Sequence, residues 1–193
     1  MNIGIYIYED VEVLDFSGPF EVFSIASRFL KESEKFDVFL ISEKEHTIKA
    51  RGNYNINSHF TFENTPNLDI LIIAGGVHTQ EVKKINVIEW IKEQSKKVKI
   101  IASICTGAFL LAEAKILTTH KVTTHWEDIS DLKESYPTLN VIENVRWVDE
   151  GNILTSAGIS AGIDMSLQIV SKIKNVELAN QTAKQMQFDW MKN

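Results

Sequence analysis

Ile100-Ile101-Ala102-Ser103-Ile104-Cys105-Thr106-Gly107-Ala108-Phe109-Leu110 carries the strongest local signal in this 193-residue chain. The apolar residues up to Ile104 read as a buried strand and the stretch from Ala108 as a helix, with one nucleophile-capable residue, Cys105, at the junction. A thiol raised on so sharp a turn needs small residues two places to either side, because strand and helix approach closely there. Ser103 and Gly107 occupy those places. The reading is a nucleophile elbow with Cys105 in a strained backbone conformation. Free N–H groups and the positive end of the following helix would then face the sulfur, so a thiolate is expected near neutral pH. Cys105 is the only cysteine in the sequence, which excludes an intramolecular disulfide and a multi-cysteine metal site. A lone cysteine is more often a small apolar filler, but strand, turn and glycine together favour a functional thiol.

Outward from this turn, short β-branched runs alternate with amphipathic stretches, without repeats or low-complexity tracts. Residues 3–8, 36–42, 70–73, 99–103 and 121–124 read as strands. Residues 19–31, opened by Ser17, Gly18 and Pro19, read as a helix, as do 82–97, 108–114 and 127–136. Asp149 to Asn152 has the composition of a hairpin turn between 147–148 and 153–155, and two helices close the chain. Strands alternating with helices predict an α/β fold: a three-layer, flavodoxin-like sandwich with a mostly parallel central sheet. Ligand sites then lie beyond the carboxyl ends of the strands.

Composition bounds the function. With 44% hydrophobic residues, the chain is long enough for one sizeable core and short for two, so residues 1–193 are read as a single domain. The charged fraction of 24% and net charge of -6 leave no basic footprint for nucleic acid. No apolar run reaches the length that spans a bilayer and no leader is visible, so no membrane role is expected and the cytoplasm is the expected location. The histidines at 46, 59, 78 and 120 share no metal-ligand spacing with one another or with Cys105, and neither metal nor cofactor is predicted.

Several blocks of the chain resemble the ThiJ/PfpI superfamily, the class I glutamine-amidotransferase-like proteins. They are Leu14-Asp15-Phe16-Ser17-Gly18-Pro19-Phe20-Glu21-Val22-Phe23, Ile73-Ala74-Gly75-Gly76, Cys105-Thr106-Gly107, Val122-Thr123-Thr124-His125-Trp126, Leu154-Thr155-Ser156-Ala157-Gly158 and Ala161-Gly162-Ile163-Asp164. Their wording is similar to the isonitrile hydratase branch and to the amidotransferase-like domain of AraC-type regulators. Members assigned as proteases carry a histidine directly after the cysteine, where this chain has Thr106, so the resemblance does not extend to a Cys-His pair. The regulators add a helix-turn-helix region, for which the residues after Asp164 are too few, and a stand-alone domain is expected.

Asp15 follows the first strand at the rim where sites of this architecture form, framed by Val13, Leu14 and Phe16. Apolar surroundings raise a carboxyl pKa, and the resemblance places an acid-base residue here. Glu21 reads as helix surface and Asp164 as a structural residue of a helix first turn. Gly75 and Gly76 let backbone approach a ligand, and the resemblance implies an oxyanion-hole-like cradle of the Gly76 and Thr106 N–H groups. It also brings His125 toward the nucleophile; on its own residue type His125 is equally a core histidine. The leading expectation is addition of water to an isonitrile through Cys105 and Asp15, giving an N-substituted formamide. The alternatives are a glyoxalase or deglycase acting on methylglyoxal-type carbonyls, a small-molecule or redox sensor, and, more distantly, a peptidase. The superfamily resemblance implies a homodimer.

Overall fold

Apolar β-branched runs too short for helices take the centre of the molecule, where both faces of a sheet are covered. In the computed structural model, which describes residues 1–44 and 46–192, β1 (Asn2–Tyr6) leads through α1 (Val13–Arg28) to β2 (Asp37–Ser42). A hairpin of β3 (Thr47–Ala50) and β4 (Tyr54–Asn57) follows, then the short β5 (Phe60–Thr61). Strand and helix alternate again in β6 (Ile70–Ile73), α2 (Ile85–Ser95), β7 (Ile100–Ile104) and α3 (Gly107–Glu113). An excursion through β8 (Lys121–Val122), α4 (Ile129–Ser135) and β9 (Asn140–Val141) returns to the hairpin β10 (Trp147–Asp149) and β11 (Ile153–Ser156). The helices α5 (Ala161–Ile173) and α6 (Val176–Gln185) end the series.

Among the described residues one sheet runs β10-β11-β7-β6-β1-β2-β5, parallel throughout except where β10 meets β11. Every residue of β6 and β7 is buried. α1, α5 and α6 pack together on one face and α2 with α3 on the other, which completes the expected three layers. The chain leaves β1 in one direction to β2 and resumes at β6 on its other side, so the strand order reverses at β1. The crevice beyond the carboxyl ends of β1, β6 and β7 is the place such sheets use for ligands. No helix of the described residues is long and apolar enough to cross a membrane.

Three elements differ from the sequence expectation. The helix expected over 19–31 begins at Val13, which puts Asp15 in its first turn and the buried Pro19 inside it. Pro19 removes only the N–H that would reach the Asp15 carbonyl. Gly18 serves packing, since a Cβ there would stand 3.0 Å from Ile163 on α5; tertiary contact sets this helix more than its start signal does. The strand expected over 121–124 is cut to the two residues of β8, paired with β9 outside the main sheet. The hairpin over 47–57 was not expected, because its outer residues are polar; Gly52 and Asn53 turn it at φ 69° and 61°.

Candidate active site

Cys105 has φ 54°, the left-handed region a side-chain-bearing residue seldom enters. The strain is held from three sides. The Cys105 N–H donates to the Ser156 carbonyl at 3.2 Å, the Thr124 hydroxyl donates to the Cys105 carbonyl at 2.7 Å, and α3 presses against β6. At Gly107 a Cβ would stand 2.3 Å from the Ile73 carbonyl oxygen, so only glycine permits that approach. The elbow therefore exists, with the sulfur nearly buried at 7% exposure and still lining an open cleft.

Asp15 reaches this sulfur because the loop after β1 is pinned to the loop after β6. The Glu12 N–H donates to the Gly75 carbonyl at 2.9 Å and Val11 bridges Gly76. The Asp15 carboxyl is fully buried; its Oδ2 accepts the Gly75 N–H at 3.0 Å, and the Cys105 thiol lies close enough to interact with it as a donor. Oδ1 is buried with no hydrogen-bond partner among the described residues. Burial pushes this carboxyl up to about 7, against the pull of the Gly75 and Ile159 N–H groups and the thiol.

The thiol itself is pushed up, by burial first and the Asp15 charge second, with only the Thr106 N–H pulling it down. This corrects the expectation of a thiolate near neutral pH. α3 is seven residues long, and its dipole is no match for desolvation beside a carboxylate. The expected cradle also changes. The Gly76 N–H, with its residue at φ 150°, is not free: it donates to Thr106 Oγ1 at 2.9 Å, and that hydroxyl donates back to the Gly76 carbonyl at 2.9 Å. A histidine at 106 has no hydroxyl to close this clamp. Of the two expected N–H groups, only that of Thr106 faces the sulfur.

His125 lines the same cleft, of about 310 Å³, but a loop delivers it and not a strand end. It caps the turn over 126–128, its Nδ1 accepting the Glu127 N–H at 3.4 Å, and its ring lies against Gly158, where a Cβ would be 2.0 Å from Cδ2. Glu21 is exposed and outside the cleft. Asp164 is buried away from it, accepting from Arg146 Nε at 2.8 Å and from the Met191 N–H at 2.8 Å. Residues the sequence reading did not single out also line the cleft: Glu12, Arg51, His78, Asp128 and Ile159. Two had a usable signal. His78 stands two positions past Gly76 at a strand end, and Asp128 is three past His125; Arg51 comes from the unexpected hairpin.

Residues 1–172 match the DJ-1/PfpI family profile. The chain belongs to that family. Isonitrile hydratase of Pseudomonas putida is 27% identical over 190 residues, which cover 97% of this chain and 78% of that protein. The HTH-type transcriptional regulator CdhR of Pseudomonas aeruginosa is 28% identical over 173 residues, covering 90% of this chain and 51% of the regulator, so the chain spans about half the length of that relative. A ThiJ/PfpI family protein from Pseudomonas syringae superimposes with a TM-score of 0.86 at 21% identity, over 97% of this chain and 75% of the other. Drosophila melanogaster DJ-1beta does so at 0.82 and 16%, over 98% of each chain. These two establish the DJ-1/PfpI fold and no more.

Proposed function

We propose that the protein is a cysteine-dependent enzyme that adds water to a small isonitrile. The observation that carries this reading is the fully buried Asp15 carboxyl within reach of the Cys105 thiol. A carboxyl that titrates at about 7 is present in both forms near neutrality, which suits it to take a proton and return it. In this mechanism ionised Asp15 removes the thiol proton as sulfur attacks the isonitrile carbon, forming the C–S bond. The carboxylic acid then returns the proton to that carbon, leaving a neutral thioformimidate. Water adds to the same carbon with Asp15 as base, and Asp15 passes that proton to the imine nitrogen; as the C–S bond breaks, the remaining hydroxyl proton returns through Asp15 to sulfur, the carbonyl forms and the N-substituted formamide leaves. No oxidant or reductant is needed. A thiol with a raised pKa fits this sequence, because its proton moves only as the bond to carbon forms.

A second reading, a small-molecule sensor without turnover, is favoured by the likeness to CdhR. A glyoxalase would use the same residues through a hemithioacetal. Purified protein is incubated with cyclohexyl isonitrile and, separately, with methylglyoxal, each beside a Cys105→Ala control. Formamide production that disappears in the variant is the expected result. Cys105-dependent loss of methylglyoxal alone would move the assignment to a glyoxalase, and turnover of neither would favour the sensor.

A further inference from the structure

Charged groups stand unevenly around the opening over Cys105. Glu12 and Arg51 face each other as an ion pair, Nε to Oε2 at 3.4 Å. Among the described residues Glu127 and Asp128 have no lysine or arginine nitrogen within 4.0 Å; the basic group beside both is His125, its Nδ1 3.8 and 3.4 Å away. One imidazole is thus set against two carboxylates. The other imidazole in the cleft, His78, is kept neutral by burial, its ring 4.2 Å from that of Phe109. The two carboxylates outnumber the one imidazole beside them, which leaves an excess of negative charge on this side of the opening. Asp128, 25% exposed, is the better shielded from solvent, whereas Glu127 at 64% is the more strongly screened. The field reaches the nucleophile, since Asp128 and Glu12 both act to raise the thiol.

The geometry points to a cleft that admits neutral and cationic reactants to Cys105 and turns anionic ones away. This statement of substrate class rests on the reading that reactants meet Cys105 in this cleft, but not on which reaction follows. In a hydratase it selects isonitriles whose substituent is uncharged or carries an ammonium group over those with a carboxylate or phosphate. In a sensor it selects the same class of effector. The attraction is electrostatic, so it acts on the encounter step and fades with salt.

Because Cys105 is the only cysteine, its rate of modification reads the cleft directly, without turnover. The full chain is treated with three methanethiosulfonates: neutral methyl, cationic trimethylammonioethyl and anionic sulfonatoethyl. Each rate is divided by that of the same reagent with free 2-mercaptoethanol. After this correction the cation should react about tenfold faster than the anion at an ionic strength of about 0.01 M, and the ratio should approach one at about 1 M. The double variant Glu127→Gln, Asp128→Asn should lower the low-salt ratio at least about threefold, and Glu127→Lys with Asp128→Asn should lower it further. Loss of the Asp128 charge should itself speed the neutral reagent by lowering the thiol, an effect that cancels in the cation-to-anion ratio, and continued reaction with the neutral reagent shows that the cleft is intact in each. A ratio near one at low salt, a ratio unchanged by both variants, or failure of all three reagents to reach Cys105 would each overturn the inference. None of these outcomes depends on isonitrile turnover, so the hydratase reading stands or falls separately.

Discussion

Asp15 and Cys105 act as one titrating unit, because each charge opposes the other and both are desolvated. If ionised Asp15 is the base that frees the thiol, kcat/KM for an isonitrile rises with pH through about 7. Asp15→Asn keeps an acceptor for the Gly75 N–H but cannot carry the proton, so turnover should fall about 10²-fold or more with substrate still bound. A flat pH profile and unaltered turnover would move the base to His125. The same carboxyl has a cost in stability. Its folded titration, about 7, lies above the ordinary carboxyl value of 3.8. The stability it allows is therefore complete below about pH 4 and is lost as pH rises through 7, on the order of 4 kcal/mol for a shift of this size. Asp15→Asn should thus be more stable than the parent at pH 8 by a few kcal/mol and show little gain at pH 4. Urea unfolding at the two values checks it; an equal difference at both would show that the charge is not the cause.

At the scale of elements, the elbow depends on how closely α3 can approach the end of β6. Gly107→Ala places a Cβ 2.3 Å from the Ile73 carbonyl oxygen, a backbone atom that cannot rotate aside. The helix must shift, at about 1–3 kcal/mol by analogy with overpacked cores. Cys105 shifts with it, and turnover should drop about tenfold or more, since reacting groups misplaced by an ångström lose that much. Denaturant unfolding together with steady-state rates would show both effects; retention of full activity would mean that the elbow tolerates a wider turn. Elements also explain where sequence reading failed. The helix through Asp15 begins six residues ahead of the expected start at Pro19. Gly18 and Pro19 are ordinary start signals, but here Gly18 packs against α5 and Pro19 is buried within the helix.

Across the whole molecule, the last residues are tied back to the sheet through Asp164. Its carboxylate joins Arg146, at the entry to the β10–β11 hairpin, to the Met191 N–H, and the Trp190 indole N–H donates to its carbonyl at 3.1 Å. Asp164 is fully buried and Arg146 is 30% exposed, so losing the negative charge removes the carboxylate that offsets a largely desolvated guanidinium, which also donates to Ser160 Oγ at 3.2 Å. Asp164→Asn should cost about 3 kcal/mol, the low end for breaking a buried pair, because solvent still reaches Arg146. Thermal unfolding measures this, and a loss under about 0.5 kcal/mol would show that water replaces the carboxylate. Ile159, whose N–H faces Asp15, lies five residues before Asp164. Loosening at Asp164 should therefore reach the site.

What the sequence determined by itself was local. The run 70–73 is apolar at every position and 100–104 at every position but Ser103, which a sheet covered on both faces requires. The junction at Cys105 and Gly107 specifies a tight strand-to-helix turn through residue size alone. From these came the layered fold and the elbow, while the nomination of Asp15, Gly75, Gly76, Thr106 and His125 leaned on the family resemblance. Tertiary structure decided the rest, because it turns on desolvation and on which group claims which hydrogen bond. Thr106 Oγ1 occupies the Gly76 N–H, so the expected cradle is not formed. Burial and Asp15 raise the Cys105 thiol against the helix that should have lowered it. His78, Arg51 and Asp128 meet at one opening only because separate loops converge there. Spacing along a chain carries no record of such distances, since they are set by the packing of elements far apart in sequence.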